Sequence, residues 1–205
     1  NPYHMDEHSG RKFGCEHIFD ALTAAGVDVM IEVPGHQTNP LDLLLDDRDE
    51  MTRICARHET AIPHMAWGYY EVSGTPAATM SVPGPGDTNA MHGLRNAYDD
   101  RAPVIHISAD VDPESRGQGA IHELEPETLD TVVERNEIVT NPHSLPEQLA
   151  RGLAATREQP PGPVRFSIPA SYLTEPIDGA GLDYAPAERT YAPEAAYDRA
   201  ATLLS

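Results

Sequence analysis

Ala77-Ala78-Thr79-Met80-Ser81-Val82, closed by Pro83-Gly84-Pro85-Gly86, and then Val104-Ile105-His106-Ile107-Ser108-Ala109 form the stretch whose reading decides the fold. Each run is short, largely apolar and bounded by Gly or Pro, which is the length and punctuation of a strand. The second run is nearly continuous in its apolar character, the habit of a strand buried on both faces of a parallel sheet. Between them, a helix-like interval runs through about Tyr98. Strand, turn, helix and strand in this order make a crossover unit, and such crossovers are right-handed.

The same alternation continues in both directions. Residues 15–25 place Ile18, Phe19, Leu22 and Ala25 at helical spacing, with Gly26 as a stop. Val27 to Val33 reads as a strand ended by Pro34-Gly35, Leu41 to Leu45 as a helix, and Thr52 to Ala56 as a second strand. A helix over 60–73 ends near Gly74. After the opening pair, 110–136 is looser, Ile138-Val139 is strand-like, 145–157 helical, and Val164 to Ile168 the last strand. The fold class expected is α/β: a parallel sheet of about six strands with helices on both faces, flavodoxin-like. Ligands of such sheets bind beyond the carboxyl ends of the strands, which directs attention to the loops at 34–39, 57–60 and 83–89.

Composition bounds what the chain can be. Its 205 residues suffice for one α/β domain and some further chain, and 40% hydrophobic residues can build a core. No long apolar run or leader-like segment occurs, so no membrane partner is expected. Acidic residues number 33 against 14 basic ones, and Lys12 is the single lysine. A net charge of -19 repels nucleic acid and anionic membranes. Scattered acid with almost no lysine is the pattern of a protein adapted to high salt, where screening relieves self-repulsion. Cys15 and Cys55 lie in apolar segments far apart and read as reduced, buried thiols of a cytoplasmic protein.

Beyond Val164 to Ile168 the character changes. Pro176, Pro186 and Pro193 with Gly179 and Gly181 mark a linker, and Ala195 to Leu204 starts a new helix. The expected division is an N-terminal arm at 1–13, a domain at 14–172, a linker at 173–194 and the beginning of a further domain at 195–205. A natural protein that continues past Ser205 is the reading of a chain that stops inside a helix.

Arg57-His58-Glu59 follows a strand and opens a helix. Pro63 lacks an amide hydrogen and is tolerated within the first turn, so the helix starts near Thr60 and leaves Glu59 at its mouth. A carboxylate there is stabilised by the helix dipole, and for an isolated Glu a capping role is the stronger reading. The Gly84-Pro85-Gly86 turn is not a phosphate loop, since no Gly-Lys-Ser/Thr follows, nor a dinucleotide fingerprint, since Asn89 stands where the third glycine would be. Taken alone it is a tight turn with close packing.

In combination these segments are more specific. Pro34-Gly35, Arg57-His58-Glu59, Trp67-Gly68-Tyr69, Ser73-Gly74-Thr75-Pro76, Gly84-Pro85-Gly86-Asp87-Thr88-Asn89, Ala97-Tyr98, Ala102-Pro103-Val104 and Gly162-Pro163-Val164 occur in that order. The series resembles the N-terminal, pyrimidine-binding domain of thiamine-diphosphate enzymes of the acetolactate synthase, pyruvate oxidase and benzoylformate decarboxylase group, over about residues 14–172. The resemblance implies that Glu59 is catalytic. It would hydrogen-bond N1′ of the aminopyrimidine and favour its imino tautomer, so that the exocyclic nitrogen can take the proton from C2 of the thiazolium. It implies that Pro34, Gly35, Pro83, Gly84 and Asn89 approach the cofactor, and that the substrate is a small 2-oxo acid.

His36 stands where acetolactate synthases usually have a second glycine, and His122, in Ile121-His122-Glu123-Leu124, where they have the glutamine of a Phe-Gln-Glu motif. Both read equally as substrate-binding groups or as solvated loop histidines. His17, His58, His64, His92, His106 and His143 show no metal spacing and read as structural or solvated. Met65, Ala66, Tyr69 and Tyr70 form a helical stripe, core or subunit interface. The resemblance further implies a homodimer or homotetramer with the site between chains, and Mg²⁺ held with the diphosphate by a Gly-Asp-Gly…Asn-Asn set that this sequence lacks. The competing expectations are the α subunit of a two-chain sulfopyruvate-type decarboxylase, a catalytically silent binding module, and a nucleotide-binding flavodoxin-like domain, the last disfavoured by the missing phosphate motifs.

Overall fold

The computed structural model describes residues 11–178 and 191–205. Eight strands and six helices follow in the order β1 (Lys12–Phe13), α1 (Gly14–Ala24), β2 (Val29–Glu32), α2 (Asn39–Asp46), β3 (Thr52–Cys55), α3 (Ala61–Ser73), β4 (Ala78–Ser81), α4 (Pro85–Asp99), β5 (Ile105–Asp110), β6 (Arg135–Ile138), α5 (Leu145–Ala155), β7 (Val164–Pro169), β8 (Pro176–Ile177) and α6 (Glu194–Leu204). Six strands form one parallel sheet in the order β3-β2-β4-β5-β7-β6. This is the expected architecture.

Alternation along the strands assigns the faces. Met30, Ala78, Met80, Ile105, Ile107, Val164, Phe166 and Ile168 point into a cluster with α1, α2 and α5. Val29, Ile31, Ala77 and Val104 point the other way, toward Ile62 and Ala66 of α3 and Ala90, Leu94 and Ala97 of α4. Helices therefore cover both faces, as a sheet buried on both sides requires. Helix α3 stops where expected: Gly74 takes φ +72, a left-handed value natural to glycine, and its N–H reaches Tyr70 O at 2.8 Å.

The second face is polar between β4, β5, β7 and the start of α4. Asp87, in the first turn of α4, and Arg165 of β7 form an ion pair at 2.9 Å with side-chain exposures of 0% and 1%. Ser108 Oγ donates to the same carboxylate at 2.7 Å, and His106 Nε2 lies 3.3 Å from its other oxygen. With its proton on Nε2, the His106 ring accepts at Nδ1 from Thr79 Oγ1, 2.8 Å away. Arg165 also donates to Pro126 O at 3.1 Å and Asn136 Oδ1 at 3.3 Å, tying the 110–136 segment down over the sheet. Asp110 repeats the pattern at the end of β5, accepting from Ser167 Oγ and from Arg116, each at 2.7 Å. Burial alone would raise the Asp87 carboxyl; the hydrogen bond from His106, the Arg165 charge and Ser108 overcome it and hold the group below its ordinary range.

Three expectations differ from what is found. Cys15 is buried, its thiol pushed up to about 12 mainly by burial, but Cys55 is exposed because β3 is an edge strand. Lys12–Phe13 and Pro176–Ile177, expected in the arm and the linker, pair as an antiparallel ribbon, with Leu173 and Ile177 fully in the core. Residues 1–10 of the arm and 179–190 of the linker lie outside the described residues. Strand β6 begins at Arg135 rather than Ile138, and its Glu137 is buried against Arg151 at 2.5 Å. Along the helical stripe of α3, Ala66 is fully buried in the core, Tyr69 and Tyr70 are half-buried, and Met65 is exposed.

Asp87→Asn should cost about 3–5 kcal/mol, because it leaves a buried guanidinium without its counter-charge. The wild-type contribution is present above the carboxyl's ordinary value of 3.8 and is lost as pH falls through the lower folded value. Urea unfolding followed from pH 7 to pH 3 should therefore show the gap between wild type and variant closing in acid.

Candidate functional site

The chain winds away from β2 to β3 on one side, then returns to β4 on the other, so the loops after β2 and β4 diverge at a switch point of the sheet. These are the Pro34–His36 and Pro83–Asn89 segments. They touch: a Cβ on Gly35 would meet Val82 Cγ1 at 2.2 Å, so only glycine lets them approach. The loop after β3 carries Glu59 to the same carboxyl edge. All three loops picked out in the sequence are brought together there.

Glu59 is partly exposed at the mouth of α3. Its Oε2 accepts a hydrogen bond from Asn89 Nδ2 at 3.1 Å, and Thr60 Oγ1 donates to Asn89 O at 3.1 Å, which locks the two loops in register. Neither Glu59 nor Thr60 caps α3 through its side chain; the first-turn bond to Glu59 is made by its backbone carbonyl, which accepts from Ile62 N at 3.2 Å. Oε1 makes no hydrogen bond among the described residues. The arrangement is a carboxylate oriented through one oxygen with the other left open on the ligand-binding edge. Behind it, His64 Nδ1 donates to Thr60 O at 2.7 Å and Asn96 donates to His64 Nε2 at 3.1 Å. Gly93 gives α3 and α4 this closeness, since a Cβ there would meet Pro63 Cγ at 2.6 Å.

Among the other residues expected to face the cofactor, Pro34 is exposed, Gly35 partly so, and Pro83 and Gly84 are buried. Gly84 takes φ +65 and lies directly under the His122 peptide: a Cβ would come within 2.6 Å of His122 O. The tight-packing role of this glycine is thus real in addition to any contact with a ligand. His122, itself at φ 66, is half-buried with Nδ1 3.5 Å from Gln37 Nε2. His36 is exposed in a 3-10 turn and lines a cleft of about 310 Å³ with Gln37, Asp110, Asp112, Ser115 and Ile121. His36 lines this cleft directly, whereas His122 does not; it stands next to the cleft-lining Ile121 and reaches the cleft only through Gln37. Gln37, Asp110 and Asp112 were not picked out in the sequence. Asp110 is the acidic last residue of the otherwise carboxylate-free β5, a position that could have marked it. Of the other histidines, His17 and His106 are buried and structural, and His64 and His92 lie on the α3–α4 surface with their rings 5.1 Å apart.

A second buried acid lies beneath the Pro34–Thr38 loop. Glu32, at the end of β2, is fully buried and pushed up to about 7, first by burial, then by the neighbouring Asp42 carboxylate, against the pull of Arg53. Arg53 donates to Glu32, to Asp46 and, at 3.1 Å, to Asp42. No cluster of His, Cys, Asp and Glu among the described residues could hold a metal ion.

The profile described as "Thiamine pyrophosphate enzyme, N-terminal TPP binding domain" matches residues 13–130, more than half of the chain. The chain belongs to this family of thiamine pyrophosphate enzymes. It is 32% identical over 166 residues to a Methanocaldococcus jannaschii protein assigned as acetolactate synthase large subunit, covering 80% of this chain and 28% of that one. It is 30% identical over 172 residues to 2-succinyl-5-enolpyruvyl-6-hydroxy-3-cyclohexene-1-carboxylate synthase of Halobacterium salinarum, covering 80% of this chain and 30% of the relative. A Mycobacterium smegmatis structure assigned as a thiamin diphosphate-dependent enzyme superposes with a TM-score of 0.78 at 23% identity, over 94% of this chain and 37% of that one, a likeness in fold. The thiamine pyrophosphate domain thus spans under a third of the length of the curated relatives it matches. No helix among its described residues is long and apolar enough to cross a membrane.

Gly84→Ala should destabilise the domain by about 1–3 kcal/mol, the range for an L side chain forced into a sparsely populated backbone region. The damage should reach His122. Chemical denaturation gives the cost, and cleavage by trypsin after Arg116 should quicken as the overlying segment lifts.

Proposed function

We propose that the full-length protein is a thiamine-diphosphate-dependent enzyme that breaks or forms the bond beside the carbonyl of a small 2-oxo acid. In this reading Glu59 is the residue that activates the cofactor. The observation that carries it is the Glu59 carboxylate, oriented by Asn89 through Oε2 and open at Oε1 on the carboxyl edge of the sheet. A capping acid would spend its side chain on the first amides of α3, and this one does not. An oriented carboxylate with one free oxygen fits the requirement for holding a proton at N1′ of an aminopyrimidine. Pro34, Gly35, Pro83, Gly84 and Asn89 surround the approach to it. Bound thiamine diphosphate would supply the carbon nucleophile and the electron sink; this chain's residues supply orientation and proton control.

Asn89 holds Glu59 in one rotamer, and the Thr60–Asn89 bond keeps the loop after β3 against α4. His36 and His122 would border the 2-oxo acid where the cleft beside His36 opens. Relatives with different names share this domain, among them a Pseudomonas aeruginosa protein assigned as 2-ketoarginine decarboxylase at 32% identity. That supports the 2-oxo acid class and leaves the individual substrate open. The proposed division is a pyrimidine-binding domain that takes in the β1–β8 ribbon and so runs from Lys12 to Ile177, a linker to 194 and a following domain from 195, with Mg²⁺ and diphosphate ligands in a further domain and a homodimer or homotetramer enclosing the site. A net charge of -19 with one lysine supports a cytoplasm of high salt, and the two free thiols agree with a reducing one.

Glu59→Gln in the full-length protein should slow hydrogen–deuterium exchange at C2 of bound cofactor by roughly 10²–10⁴-fold, the usual range for a positioned proton-transfer group. Stability should stay within about 1 kcal/mol. NMR of quenched samples reads the exchange without knowledge of the substrate. Exchange at the wild-type rate would remove Glu59 from the chemistry.

A further inference from the structure

The loop that presents His36 has a support that the reaction as described above does not use. Thr38, almost fully buried, closes the loop on itself: its hydroxyl accepts from Gly35 N at 3.1 Å and lies 3.0 Å from Gly35 O. The same hydroxyl lies 2.8 Å from Asp42 Oδ2, which it can serve as a donor. Asp42, on α2, is in turn held through its other oxygen by Arg53 NH2 at 3.1 Å. Arg53 stands on edge strand β3, in register with Met30 of β2, and extends along the sheet to Glu32, the residue immediately before the loop. One guanidinium thus grips the residue that precedes the loop and, through Asp42 and Thr38, the turn that ends it. Asp46 takes its remaining face.

The chemistry of this cluster is unusual for mere surface solvation. Three carboxylates surround one cation, Glu32 and Asp42 are buried, and Glu32 Oε2 has no partner among the described residues. A buried carboxylate set of this kind is costly unless a guanidinium satisfies it, and only the planar fork of Arg can reach several acceptors in fixed directions. Lysine offers a point charge that cannot span them.

We propose that Arg53, acting through Asp42 and Thr38, is the positioning residue for the Val33–Thr38 loop, setting where His36 stands at the substrate side of the site, one residue beyond the cofactor-facing Gly35. This deepens the function proposed above and rests on His36 facing the substrate. Arg53 touches neither cofactor nor substrate in this account. Its effect falls on binding of the 2-oxo acid, and cofactor activation at Glu59, on a separate loop, is spared.

The test uses the full-length protein with pyruvate as the first probe and other 2-oxo acids after it. Thr38→Val removes only the hydroxyl of the relay and Arg53→Lys only the fork, so both should fold; Arg53→Gln is the harsher third variant. All three should raise KM about 5–30-fold with C2 exchange of bound cofactor within about 2-fold of wild type. In the cofactor-free protein, amide exchange at Gly35 and His36 should quicken at least 10-fold while amides of β4 and β5 keep their protection. A merely structural role would lower the melting temperature and leave both KM and this local exchange pattern unchanged, which would overturn the inference. His36→Ala serves as the control that separates the two readings: if it raises KM and Thr38→Val does not, the relay fails alone. If wild type shows no C2 exchange at all, the proposed function fails first.

Discussion

A guanidinium and a carboxylate share a dry site between β5, β7 and the first turn of α4, and three segments distant in sequence meet on them. Asp87 arrives from the first turn of α4, Arg165 from β7, Pro126 from the irregular segment after β5, and Asn136 from the start of β6. Desolvating either charge alone costs several kcal/mol, so the pair persists only if all its partners are in place. That mutual demand fixes the position of α4 against the sheet. Because α4 begins at Pro85 and carries Asn89 in its second turn, the same pair sets the distance from which Asn89 reaches Glu59.

The site is therefore a product of packing at one remove. Gly35 against Val82, Gly84 under the His122 peptide and Gly93 against Pro63 are three points where a side chain would push one loop off another. Each brings a different pair of elements together. The carboxyl edge of the sheet is thus narrow at the switch point and opens toward the cleft beside His36.

Most of the sheet was legible in the sequence because its strands are buried on both faces and read as short apolar runs between Gly and Pro. Strands β4, β5 and β7 are of this kind. Strand β6 was half-missed because Arg135-Asn136-Glu137 is polar and its burial depends on Arg151, a partner that no periodicity reveals. The ribbon of β1 and β8 is two residues long on each side, below any pattern. Cys55 was read as buried because its neighbours are apolar, whereas exposure depends on which strand lies at the edge. At the site, Glu59, Gly84 and Asn89 could be picked out by motif. Their mutual contact, the Gln37 approach to His122 and the Arg53 cluster could not, since each joins residues that the chain order keeps apart.

The two faces of the sheet obey different rules of replacement. On one, Met80, Ile107, Phe166 and their neighbours form a hydrocarbon layer, where residues of similar volume can trade places and the loss is graded. On the other, beside the apolar contacts of Val29, Ile31, Ala77 and Val104, Thr79, His106, Ser108, Arg165 and Ser167 form a patch between β4, β5 and β7 whose members specify each other through donors and acceptors. There a change of one atom leaves a neighbour unsatisfied, and compensation takes several simultaneous changes. Viable replacements are therefore channelled: they can be made singly in the apolar layers, whereas the polar patch tolerates change only in concerted sets.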